Sequence, residues 1–213
     1  MKRPRVLLGD DHTIVLEGLR RILDPYCEIV GTAEDGRALV AAARELKPDV
    51  IVADISMPLL NGIEAARQIQ KAGNTAKILI LTMHPDATYA TEAFRAGASG
   101  YVLKSSAASE LVTAIQEVLK GRVYVTPLVA KDVLHTLLLA PTQPDTKGHD
   151  LTARQREVLQ LVAEGKAAKE IAGILNVSPR TVEFHKYRIM EQLGLHTTAE
   201  LTQYAIRHGI VSA

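Results

Sequence analysis

The chain has 213 residues, 47% of them hydrophobic, a formal charge of +1 and one cysteine; this allows one large domain or two small ones and excludes a disordered chain. A strongly basic footprint over the whole length is excluded too, the only surplus being a mild one in residues 151–213. No apolar stretch approaches the ~18 residues of a membrane span, Met1-Lys2-Arg3 leads only to Val6-Leu7-Leu8 before Asp10-Asp11, and Cys27 beside Tyr26 has no disulfide partner, so a non-membrane protein of a reducing cytoplasm is expected.

In chain order, short apolar runs of strand length alternate with stretches of helical periodicity. The runs are Val6-Leu7-Leu8, Ile29-Val30, Val50-Ile51-Val52-Ala53, Ile78-Leu79-Ile80-Leu81 and Tyr101-Val102-Leu103. Between them, Ile14 to Leu23, Ala38 to Leu46, Ile63 to Gln70, Thr88 to Arg95 and Leu111 to Leu119 repeat apolar residues at spacings of three and four. Strands that are apolar throughout are buried on both faces, which predicts five βα units in a doubly wound parallel sheet over residues 1–122. Residues 123–149 read as a connecting segment in which Pro127 to Leu139 forms a helix and Pro141 to Gly148 a Pro- and Gly-containing linker.

Residues 150–213 hold no strand-like run. Thr152 with Gln155 and Thr197 with Glu200 have capping-box spacing, and Ser178-Pro179 offers an N-cap followed by proline at the first helical position. A small all-helical domain follows. Within it, a helix at Ala167–Leu175, a turn at Asn176-Val177-Ser178 and a second helix from Pro179 make a helix-turn-helix layout. Val182, His185, Ile189 and Leu193 define the packed face of the second helix, so Glu183, Phe184, Tyr187 and Arg188 point away. Arginine can read guanine, glutamate can accept from cytosine and phenylalanine can touch the thymine methyl group, which makes these the candidates for base contact. Lys169, Arg180, Thr181 and Lys186 are candidates for phosphate contact.

In a doubly wound sheet the chemistry gathers at the carboxyl ends of the strands. Asp10 and Asp11 end the first strand, Asp54 the third, Thr82 the fourth, and Lys104 follows the fifth. Three carboxylates in one crevice call for a cation, and a hard divalent ion such as Mg²⁺ or Mn²⁺ suits oxygen donors. With charge neutralised, an aspartate can attack phosphorus and form an acyl phosphate. Lys104 and the Thr82 hydroxyl can hold the phosphoryl oxygens.

Asp10-Asp11, Asp54-Ile55-Ser56-Met57-Pro58, Asn61-Gly62, Leu81-Thr82, Ala96-Gly97-Ala98 and Gly100-Tyr101-Val102-Leu103-Lys104 resemble the receiver domain of two-component response regulators, a flavodoxin-like fold. The resemblance implies that a sensor histidine kinase phosphorylates Asp54, and that Asp10, Asp11, Asp54 and the Ser56 carbonyl hold Mg²⁺. It also makes Thr82 and Tyr101 a switch pair, Tyr101 turning inward as Thr82 approaches the phosphoryl group. Ser56 and His84 hold positions that in that family tune the lifetime of the phosphoryl group. Many receivers follow the lysine with a cis proline; here Ser105 follows Lys104.

Leu151 to Leu159, Lys169-Glu170-Ile171-Ala172, Thr181-Val182-Glu183-Phe184-His185 and Leu193-Gly194-Leu195 resemble the LuxR-type DNA-binding domain. Together the two halves look like the NarL/FixJ response-regulator family. That likeness implies double-stranded DNA as partner and a homodimer on DNA formed by the last helix, about Ala199–His208, reading a near-palindrome. Two alternatives stay open. An aspartyl-phosphate phosphatase of the haloacid-dehalogenase kind needs Asp-x-Asp after its first strand, where this chain has His12 two positions after Asp10. The other is a DNA-binding protein whose first domain only dimerises and is never phosphorylated.

Overall fold

The computed structural model describes residues 3–139 and 151–211. The chain forms two compact units, residues 1–141 and 142–213. In the first, β1 (Arg5–Gly9), α1 (Thr13–Leu23), β2 (Glu28–Ala33), α2 (Gly36–Leu46), β3 (Val50–Asp54), α3 (Gly62–Lys71), β4 (Lys77–Thr82), α4 (Ala87–Arg95), β5 (Gly100–Leu103) and α5 (Ala107–Leu119) follow in turn. The strands pair in the order β2-β1-β3-β4-β5, all parallel.

Alternate residues of the strands serve opposite faces. Leu7, Ile51, Ala53, Ile78, Ile80, Tyr101 and Leu103 pack under α2, α3 and α4 through Leu39, Ala43, Ala65, Ala66, Ile69, Ala90 and Ala93. Val6, Leu8, Val50, Val52, Leu79, Leu81 and Val102 face α1 and α5 through Leu16, Leu19, Leu23, Leu111, Ala114, Ile115 and Val118. Both faces are dry, which explains why the strand sequences show no polar alternation.

The five strands read from the sequence are joined by a sixth. β6 (Tyr124–Val125) pairs with β5, Gly100 opposite Tyr124 and Tyr101 opposite Val125. The helix that follows, α6 (Pro127–Leu139), packs on α4 and places Val129 and Val133 in the same core as Tyr101 and Leu103. Residues 124–139 of the expected connecting segment therefore contribute a strand and a helix to the first unit. The expected linker Pro141–Gly148 lies outside the described residues.

The second unit is helical: α7 (Ala153–Ala163), α8 (Ala168–Leu175), α9 (Pro179–Leu193) and α10 (Thr198–Arg207). Its helix starts are those read from the sequence. The Gln155 side chain accepts from Thr152 N–H at 2.7 Å while Thr152 Oγ accepts from Gln155 N–H at 3.2 Å, and Thr197 and Glu200 make the same reciprocal pair on α10. Ser178 Oγ accepts from Thr181 N–H at 3.1 Å ahead of Pro179. Between α8 and α9 the turn is closed by Asn176 at φ 52°, a left-handed position that asparagine tolerates. Val158, Leu159, Ile171, Leu175, Val182, Ile189 and Leu201 fill the centre of the unit, α9 lying against α7 and α8 and α10 against α7.

Candidate phosphoryl site and nucleic-acid interface

Because β1 and β3 are neighbours and β4 and β5 follow, the carboxyl ends of the strands bring Asp10, Asp54, Thr82 and Lys104 to one crevice. Asp10 is fully buried and Asp54 nearly so. The Lys104 ammonium bridges them, 2.7 Å from Asp10 Oδ2 and 2.9 Å from Asp54 Oδ2. Burial pulls this ammonium down, but hydrogen bonds to and charges on the two aspartates outweigh it and hold the group above its ordinary value. At Asp54, burial pushes the carboxyl up against the opposing hydrogen bond and charge of Lys104. The result is a desolvated carboxylate whose negative charge depends on one cation.

Asp11 is more open than Asp10, and the two carboxylates with the His12 imidazole place ligand atoms within 4.8 Å of one another. His12 Nδ1 lies 2.9 Å from Asp11 Oδ1 and 3.3 Å from Asp10 Oδ1, and the His12 amide donates to Asp10 Oδ1 at 2.9 Å. Hard carboxylate oxygens in excess of the nearby positive charge suit a divalent cation such as Mg²⁺. Ser56 sits half-buried in the turn after β3, where Met57 N–H donates to the Ile55 carbonyl at 3.0 Å.

That turn is shaped by Asn61-Gly62. Asn61 Oδ1 caps α3 by accepting from Glu64 N–H at 2.8 Å, and Gly62 N–H donates to the Ile55 carbonyl at 2.9 Å. A Cβ on Gly62 would lie 1.9 Å from the Asp54 carbonyl oxygen. Only glycine lets α3 start directly against the end of β3, and so fix the backbone that carries Asp54.

Thr82 is fully buried, and its hydroxyl accepts from His84 N–H at 3.2 Å. Tyr101 lies inward with no exposed surface, and its hydroxyl donates to the His84 carbonyl at 2.7 Å. Burial pushes that hydroxyl well above the usual tyrosine value, so it stays a donor. The His84 ring stacks on Tyr89, centroids 4.8 Å apart and planes at 17°. Lys104, Ser105 and Ser106 form one 3₁₀ turn into α5, and no cis peptide bond occurs among the described residues.

On α9, Val182 and Ile189 are buried, His185 and Leu193 are half-buried, and Glu183, Phe184, Tyr187 and Arg188 are exposed. Lys169 on α8 and Arg180 in the first turn of α9 are exposed; Thr181 and Lys186 are half-buried. The Thr181 hydroxyl is 2.9 Å from that of Ser178, within the α9 cap. All eight thus lie on the two helices of the helix-turn-helix, and Glu183, Phe184, Tyr187 and Arg188 face away from the buried stripe of α9.

Two family patterns match: the response regulator receiver domain over residues 6–116 and the bacterial regulatory proteins of the luxR family over residues 149–205. The chain is a two-component response regulator of the NarL/FixJ family. This regulator is 36% identical over 213 residues to the response regulator UvrY of Escherichia coli K12, covering 98% of this chain and 96% of UvrY. It is 34% identical to the response regulator GacA of Pseudomonas aeruginosa, covering 98% of each. Among solved structures it is similar to RcsB of Salmonella typhimurium, with a TM-score of 0.65 at 30% identity over 96% of this chain and 97% of that one. A LuxR-family response regulator from Aurantimonas gives 0.61 at 42% identity, covering 64% of this chain and 99% of that chain. The family is one of transcription regulators and not of enzymes, which removes the phosphatase alternative. Receiver domains bind Mg²⁺ through acidic residues of the kind clustered at Asp10 and Asp11.

Sequence reasoning missed three contributors to the regulator's first unit. His12 could have been noticed as an imidazole directly after two carboxylates. Glu110 and Thr126 could not, because they are 16 residues apart and meet only through β6: the Thr126 hydroxyl donates to Glu110 Oε2 at 2.8 Å and accepts from Leu103 N–H at 3.1 Å, next to Lys104.

Proposed function

We infer that the regulator is switched by transfer of one phosphoryl group from a sensor histidine kinase to Asp54, and that the switch controls its binding to double-stranded DNA. The observation that carries this is the Lys104 bridge, 2.7 and 2.9 Å from two buried carboxylates. In the transfer, an Asp54 carboxylate oxygen attacks phosphorus, the phosphorus–nitrogen bond of the phosphohistidine breaks, and the imidazole leaves and takes up a proton. Asp10, Asp11, Asp54 and the Ser56 carbonyl would hold Mg²⁺ or Mn²⁺, which when bound offsets the charge of the incoming phosphoryl oxygens. Lys104 releases Asp54 and pairs with a phosphoryl oxygen, and the Thr82 hydroxyl donates to another.

Tyr101 and Thr82 make the switch pair, both touching His84, so movement of Thr82 toward the phosphoryl group changes what the Tyr101 hydroxyl meets. A population shift between two arrangements is enough. In the second unit α9 enters the major groove, Glu183, Phe184, Tyr187 and Arg188 facing the bases and Lys169, Arg180, Thr181 and Lys186 the phosphates. RcsB is known in complex with DNA and as two dimers on two DNAs; by likeness this regulator binds as a homodimer paired through α10, in the cytoplasm. No helix among the described residues is long and apolar enough to cross a membrane.

The test is labelling with a small-molecule phosphodonor and Mg²⁺. The intact chain gains one phosphoryl group, Asp54→Asn gains none, and DNA affinity of the intact chain alone changes on treatment. Equal labelling of both proteins overturns the assignment.

A further inference from the structure

Among the described residues of the second unit, the large hydrophobic side chains left exposed are Phe184, at 57%, and Tyr187, at 65%, and both stand on α9. Three positions apart on a helix, they share a face, turned away from the buried Val182 and Ile189. Among the described residues, neither side chain belongs to the buried core of the unit.

The Phe184 ring is braced. The Arg188 guanidinium lies 5.8 Å from its centroid and is itself 3.0 Å from Glu191, and the His185 ring meets it edge-on at 5.7 Å. A side chain held this way loses little freedom when a ligand covers it. The ring is an apolar surface that this part of α9 presents. A phenyl ring offers no hydrogen bond, and the apolar feature on the major-groove edge of a base pair is the thymine 5-methyl group. Charged Glu183 and Arg188 flank the strip, and Arg180 and Lys186 share the helix; that surround suits a groove lined by phosphates better than an apolar protein surface.

We propose that Phe184, with Tyr187 beside it, is a specificity-determining residue that reads the 5-methyl group of a thymine in each half of the bound DNA site. This rests on the DNA-binding reading above. Removing that methyl from the DNA then mimics removing the ring from the protein, and the two losses do not add.

The full chain, treated with phosphodonor, is first used to select its site from a random DNA pool. Each thymine of that site is then replaced singly by deoxyuridine and the affinities of the unsubstituted chain, Phe184→Ala and Phe184→Leu are measured by gel shift. The unsubstituted chain loses roughly fourfold at one thymine per half-site, the worth of one buried methyl; Phe184→Ala shows no loss there, and Phe184→Leu, still apolar, keeps most of it. Phe184 is exposed, so both variants keep the fold, checked by circular dichroism and by an unchanged melting temperature. A site with no uridine-sensitive thymine, an equal loss in Phe184→Ala, or an unchanged sequence preference in that variant overturns the proposal and leaves DNA binding intact, the last outcome pointing to a protein partner for the strip. Failure of the unsubstituted chain to enrich any sequence overturns the DNA-binding reading and this inference with it.

Discussion

Thr126→Val tests whether the segment after α5 is built into the first unit. Thr126 is 1% exposed, and valine has nearly its shape, so the change opens no cavity. It removes a hydroxyl that donates to Glu110 Oε2 at 2.8 Å and accepts from Leu103 N–H at 3.1 Å. A bond to a carboxylate and a buried amide left without its acceptor together cost about 2–4 kcal/mol, which for a unit of this size lowers the melting temperature by roughly 6–12 °C. Glu110 keeps the Tyr124 hydroxyl at 3.2 Å, so the loss falls mainly on the strand next to Lys104. Thermal melting of the whole chain, followed by circular dichroism, measures it, with Thr126→Ser as the control that keeps both bonds and loses only a methyl group. A shift under about 2 °C for valine, or an equal shift for serine, refutes the reasoning.

Gly62→Ala forces a Cβ to within 1.9 Å of the Asp54 carbonyl oxygen; it should cost about 3 kcal/mol or more and depress phosphodonor labelling, and denaturant unfolding that shows less than about 1 kcal/mol would count against the tight β3–α3 junction. Lys186→Ala should weaken binding alike on all DNA sequences and lower the salt slope by about one; a sequence-selective loss in gel shifts at several salt concentrations would move Lys186 from the phosphates to the bases. His208 is held below its ordinary value by burial and then by the nearby Arg207, its ring stacked on Tyr204 at 4.0 Å. The unfolded chain therefore takes up this proton first as pH falls through about 6.5, so the second unit loses stability on acidification. His208→Gln should flatten that part of the profile, and identical melting profiles for both proteins between pH 7.5 and 5.5 would contradict it.

The alternation of strands and helices was legible because β1, β3 and β4 are dry on both faces and must be apolar without a break. β6 was not: Tyr124-Val125 is two residues long between Arg122 and Pro127, and only its pairing with Gly100 and Tyr101 makes it a strand. The helix over Pro127 to Leu139 was legible, but Val129 and Val133 do not say which core they enter. In the crevice, strand ends predicted that Asp10, Asp54, Thr82 and Lys104 would meet. That one ammonium grips two carboxylates, and that the Tyr101 hydroxyl finds the His84 carbonyl, depends on rotamers and loop paths that spacing does not encode. On α9 the period of the apolar stripe alone separated the buried face from the exposed one.

The sixth strand also closes one edge of the sheet. Without it, β5 would end the sheet with a row of free amides and carbonyls, a template on which another chain could extend the sheet. β6 covers that row and is itself too short to offer one, and the α6 that follows it lies over α4. What that side offers to a neighbour is therefore helix surface, whose contacts would form and part without unzipping a β-ladder.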